Sequence, residues 1–179
     1  MSRDRFKFIG SNLHFVDNTK CTSDRFFKVQ PLIDVFNATF TSAMELGTHI
    51  SFDEATIKAT GKRVPGKMFN PMKPHKWGIK LFMTCCGETG YCYKFEVYKG
   101  KKDRNGDATL STGPAALIRN MKEFAHSKRI VYCDRFYTSI AAFIQLLFLG
   151  FYCIITLFNF NYIYIYLYYR SVCLWNHND

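Results

Sequence analysis

Beyond Arg135 the chain has almost no charge: Arg170 and Asp179 are the only charged residues among 136–179, so the whole formal net charge of +10 lies upstream. A basic first part favours a polyanionic partner, nucleic acid before membrane. Acid is also missing between Glu54 and Glu88, a stretch that holds Lys58, Lys62, Arg63, Lys67, Lys73, Lys76 and Lys80. None of the seven cysteines (Cys21, Cys85, Cys86, Cys92, Cys133, Cys153, Cys173) stands in a CxxC spacing, and their number is odd. A disulfide framework and a cysteine-based zinc site are therefore not expected; buried free thiols in a reducing compartment are. The opening "MSRDRFKFIG" lacks the apolar run of a signal peptide, which argues against secretion. No internal repeat is visible, and 179 residues suffice for one ordinary domain with additions.

What is present reads as alternating elements. "SDRFFKVQPLIDVFNATFTSAME" (23–45) places Phe26, Val29, Ile33, Phe36 and Phe40 at helical spacing behind a Ser23 cap, with Pro31 as a kink. From Gly47 the pattern changes to β-like runs: "THISFDEAT" (48–56), "KWGIKLFMTCC" (76–86) and "YCYKFEVYKG" (91–100), the last two joined by the turn signal "GETG". "STGPAALIRNMKEFAH" (111–126), with Thr112 in its cap region and Pro114 in its first turn, predicts an amphipathic helix. "RIVYCDRF" (129–136) predicts a strand buried on both faces, "TSIAAFIQLLFLG" (138–150) a capped helix stopped by Gly150, and "FYCIITLF" (151–158) another strand. An antiparallel beginning followed by βαβ crossovers gives an α/β fold, a mixed sheet flanked by helices. The division expected is a helical segment at 1–46, a sheet domain at 47–158 and a divergent Tyr/Ile-rich tail at 159–179.

Asp53 stands in the middle of the first strand signal and Asp134 at the end of the fourth. If those strands are neighbours, both carboxylates reach one edge, where they suit Mg²⁺ or Mn²⁺, hard ions that prefer carboxylate oxygen and water. Two aspartates so far apart are otherwise ordinary surface or capping groups. The acid-free lysine run, punctuated by Gly61, Pro65, Gly66, Pro71 and Pro74, predicts a loop able to track a phosphate backbone or merely a solvated basic loop. Phe69, His75 and Trp77 within it either stack on bases or pack on the sheet.

The segments "FIGSNLHFVDN" (8–18), "DRFFKVQPLIDVFN" (24–37), "ISFDEATIKATGKRVPGKMFNPMKPHKWGIKLF" (50–82), "GYCYKFEVYKGKK" (90–102) and "IVYCDRFYTS" (130–139) closely resemble the piggyBac family of transposases and the proteins derived from them. The resemblance runs from about residue 1 to about residue 153. It implies an RNase H-like catalytic domain that cuts and joins DNA with three aspartates and divalent metal, through a hairpin intermediate and at TTAA targets. By that resemblance the first two aspartates fall on Asp53 and Asp134. Transposon-end DNA as partner, a homodimer and a nuclear location are implied in the same way.

The sequence departs from the family pattern at "CIITLFNFN", where a Gly-Thr stretch followed by basic residues is expected, and no acid follows Asp134 until Asp179. The third aspartate and the family's cysteine-rich zinc domain are missing from this sequence. The expectation is a decayed or truncated copy, inactive by itself, that keeps at most DNA binding and is prone to aggregate through "YIYIYLYY". A competing reading is a membrane anchor in the uncharged segment 136–169, since 140–158 has the length of a span; Gln145 and Gly150 count against it.

Overall fold

The alternating apolar runs pair into one six-stranded mixed sheet. The computed structural model describes residues 1–155 apart from 18, 20, 21, 63 and 101–109. Helices α1 (Arg3–Ser11) and α2 (Gln30–Ala43) precede strands β1 (His49–Lys58), β2 (Met68–Phe69), β3 (Trp77–Cys86) and β4 (Cys92–Val97). Then α3 (Thr112–Met121), β5 (Ile130–Cys133), α4 (Ile140–Phe148) and β6 (Tyr152–Ile155) follow. The strand order is β2-β3-β1-β5-β6, with β4 also on β3. β1 runs antiparallel to β3 and parallel to β5, and β5 runs parallel to β6, so α3 and α4 are the crossover helices. This is the α/β arrangement expected, an RNase H-like mixed sheet flanked by helices.

One face of the sheet carries the main core. Ile50, Phe52, Phe82, Val131 and Cys153 meet Leu117 and Met121 of α3 and Leu146 of α4. Each such large apolar side chain, once fully buried, contributes roughly 1.5–3 kcal/mol. The other face is covered mainly at β3 and β4, where Phe26, Leu81 and Val97 pack with Ile33 of α2. On that same face the β5 residues Ile130 and Tyr132 are only half-buried. The expectation of a strand buried on both faces is thus corrected. Val131 and Cys133 are buried and their alternates are not, because no described helix covers the second face there.

Two local expectations change for identifiable reasons. The helix predicted from residue 23 begins at Gln30, and Pro31 lies in its first turn, where a missing N–H costs nothing, rather than at a kink. Upstream, Asp24 Oδ1 accepts from the Phe26 N–H at 2.9 Å and Lys99 donates to Asp24 Oδ2 at 2.6 Å. The chain there is a turn, and Phe26 enters the core from it. The strand predicted to reach Phe136 stops at Cys133, since Asp134 Oδ1 accepts from the Phe136 N–H at 2.6 Å and starts a 3₁₀ turn over Arg135–Tyr137.

Ser139, extended and accepting from the Ala142 N–H, caps α4, as expected for the start of that helix. The apolar residues from 140 to 155 are shared between this short helix and β6, and no described helix is long and apolar enough to cross a membrane. The rest of the uncharged segment, and the tail at 159–179, lie outside the described residues.

Candidate metal and nucleic-acid site

The parallel register of β1 and β5 places Ile50 beside Val131 and Phe52 beside Cys133. The next residues in that register are Asp53, in the middle of β1, and Asp134, just after the last residue of β5, so the two stand side by side where β5 ends. Both are exposed. Partial desolvation against the sheet pushes the Asp53 carboxyl above its ordinary range, and the like charges of Glu54 and Asp134 push it further. The Glu54 N–H, donating to Asp53 Oδ1 at 2.7 Å, and the nearby Lys73 ammonium act in the opposite direction. A carboxyl raised partly by a neighbouring carboxylate, as Asp53 is, is a setting that a divalent cation relieves.

Donor chemistry therefore fits a hard ion, whereas donor number falls short. Among the described residues no cluster of three or more His, Cys, Asp or Glu side chains is assembled. Glu54 does not complete the set. It accepts from the Tyr137 hydroxyl at 2.5 Å and sits 3.6 Å from the Lys80 ammonium, committed to a different contact. That cluster was missed in the sequence, although the pairing of "FDEAT" with "DRFYTS" contains all of it but Lys80.

The predicted basic residues divide into two groups. Lys58, Lys62, Lys73 and Lys76 are exposed on and around the loop between β1 and β3. Lys67 instead donates to the Gly61 carbonyl at 2.7 Å and lies 5.0 Å from the Trp77 ring centre. Lys80 is drawn inward, between Glu54 and the Phe136 ring, whose centre is 4.4 Å away. Arg63 lies outside the described residues.

Aromatic groups stand among the exposed cations. Phe69 and Trp77 meet with ring centres 4.9 Å apart, and each leaves about half its surface to solvent (52% and 50%). Beside them a cavity of about 300 Å³ is lined by Lys58, Lys67, His75, Lys76 and Trp77. Lys73 connects this loop to the middle of β1 through its influence on Asp53.

Residues 1–162 match a family model described as "Transposase IS4". The class is a transposase or a protein of transposase ancestry. Within it, the chain belongs to the piggyBac-type family. It is 34% identical to human "PiggyBac transposable element-derived protein 2" over 144 residues, covering 77% of this chain and 24% of that protein. With human "PiggyBac transposable element-derived protein 3" it shares 34% identity over 157 residues, 84% of this chain and 26% of that one. The cryo-EM structure of a piggyBac transposase synaptic complex with hairpin DNA superposes with a TM-score of 0.79 at 28% identity, over 90% of this chain and 34% of that chain. The chain thus spans about a quarter of the length of these curated relatives.

Proposed function

We propose that this chain is a catalytic-domain portion of a piggyBac-derived protein that binds DNA through the loop between β1 and β3 and does not cut DNA by itself. The observation that carries the reading is the β1–β5 register, which brings Asp53 and Asp134 together beside an exposed basic loop. A divalent cation, when bound, would activate a water and stabilise a leaving phosphate oxygen. Asp53 and Asp134 would hold it, and the Phe136 N–H orients Asp134. With two carboxylates, an ion is held weakly and its geometry is not fixed, and loss of that geometry removes most metal-dependent activity.

Lys58, Lys62, Lys73 and Lys76 would pair with phosphates, while Trp77 and Phe69 offer stacking faces. The solved relative is a complex with hairpin DNA, which supports DNA as partner. Transposon ends with TTAA targets, a homodimer and a nuclear location extend the same reading by kinship.

Fluorescence anisotropy with a labelled duplex tests the binding half. Changing the four exposed lysines to Ala should weaken binding across sequences, and the slope of log K against log salt should become shallower by about 0.9 for each phosphate no longer neutralised. Affinity unmoved by these changes sinks the loop as the interface. Incubation with Mn²⁺ and a transposon-end substrate tests the other half: no product is expected, and a product that Asp53→Asn abolishes would show an active nuclease.

A further inference from the structure

The β3–β4 hairpin contains an irregularity whose effect is to bring two thiols together. From Leu81↔Val97 to Thr84↔Lys94 the pairing is regular; then the register shifts and Cys85 faces Cys92 instead of Tyr93. The next link, Cys86 N–H to the Tyr91 carbonyl at 2.9 Å, closes the turn. In an antiparallel ladder directly opposed residues have their Cα atoms about 4.5–5.5 Å apart. Disulfides span about 4.4–6.8 Å between Cα atoms, a range that takes in opposed residues of such a ladder.

The side chains point to the same place. Cys85 and Cys92 are both free thiols of intermediate exposure, and the Cys92 thiol donates to the Lys94 carbonyl at 3.7 Å. Cys86, next in sequence, is buried on the opposite face in the main core. Cys133 and Cys153 also touch each other, but both are buried in that core, out of reach of a solute.

We propose that Cys85 and Cys92 form a reversible dithiol–disulfide site that reacts with a low-molecular-weight disulfide such as oxidised glutathione. The Cys92 thiolate attacks one glutathione sulfur, forming a mixed disulfide and releasing one glutathione thiolate, which takes up a proton. Cys85 then loses its proton to solvent and attacks the Cys92 sulfur, expelling the second glutathione. Two protein thiols are oxidised, one glutathione disulfide is reduced to two thiols, and a protein S–S bond remains. The neighbouring Cys85 thiol holds the Cys92 thiol below its ordinary value, which favours Cys92 as the attacking partner. The bridge would staple β3 to β4 next to Met83, the register partner of Asp53.

The test uses the reduced full chain, exposed to a ladder of oxidised to reduced glutathione, then alkylated under denaturing conditions and mapped by tandem mass spectrometry. The expected product is the 81–94 peptide lighter by two hydrogens, linked between Cys85 and Cys92 and alkylated at Cys86. In Cys85→Ser the second step is blocked, so a glutathione adduct should accumulate on Cys92 that the unmodified chain does not retain. Separate glutathione adducts on both cysteines of the unmodified chain would overturn the proposal. So would a bond from either cysteine to Cys86, Cys21 or Cys173.

Discussion

Asp24 shows how one carboxylate can decide where a helix does not begin. Its hydrogen bonds from Lys99 and from the Phe26 N–H hold its carboxyl below the ordinary value of 3.8. A group whose folded pKa is lowered contributes stability above its unfolded pKa and loses it as pH falls through the folded one. Asp24→Asn should therefore lower the melting temperature at pH 7, at a cost of about 0.5–1 kcal/mol, typical of a partly exposed pair. The difference from the parent chain should close once the pH is well under 3.8, which thermal melts across the acid range would show. Tyr137 plays a different part. Its ring is fully buried against Phe52 and Phe82, and its hydroxyl donates to Glu54. Tyr137→Phe keeps the ring and removes the donor, so chemical denaturation should report a loss of about 1–3 kcal/mol with an unchanged slope. Spacing could nominate Asp53 and Asp134, yet it carried no sign that Lys80 would turn toward Glu54. A lysine in an exposed run and a lysine in a strand read alike until the strand's neighbours are known.

Among the elements, β4 is the one that most needs protection. Its outer edge would present unpaired backbone groups, and α2 lies across it. Asn37 replaces a missing strand: its Nδ2 donates to the Phe95 carbonyl at 3.0 Å and its Oδ1 accepts from the Phe95 N–H at 2.9 Å. A helix side chain thereby satisfies both backbone groups of one edge residue, a manner of blunting an edge that templates association. Asn37→Ala should cost about 1–3 kcal/mol, the range for orphaned buried polar groups. It should also make sedimentation velocity more strongly concentration-dependent than that of the parent chain. Strands β1, β3 and β4, helices α3 and α4 and the strand at 130–133 were legible from periodicity, because alternation and capping are local properties. The start of α2, the short β2 within the basic loop and the covering of β4 were not. Each depends on a partner far along the chain: Asp24 on Lys99, Met68 on Gly78, and Asn37 on Phe95.

For the molecule as a whole, the β1–β5 pairing has a consequence in time as well as in space. β1, β3 and β4 are joined by short-range antiparallel pairings, whereas His49 and Ile130 must find each other across the whole intervening chain. Loop closure of that length is slow relative to hairpin formation, and non-local parallel pairing comes late in folding. In pulse-labelling hydrogen exchange during refolding, amides of β3 and β4 should gain protection before those of β5 and β6. Simultaneous protection of all four would count against that order. On a ribosome the delay becomes an interval: Asp53 is made and folded into its hairpin well before Asp134 exists. During that interval the basic loop is already made and the acidic pair is not, so the growing chain carries its lysines for a time without the two carboxylates that later face them.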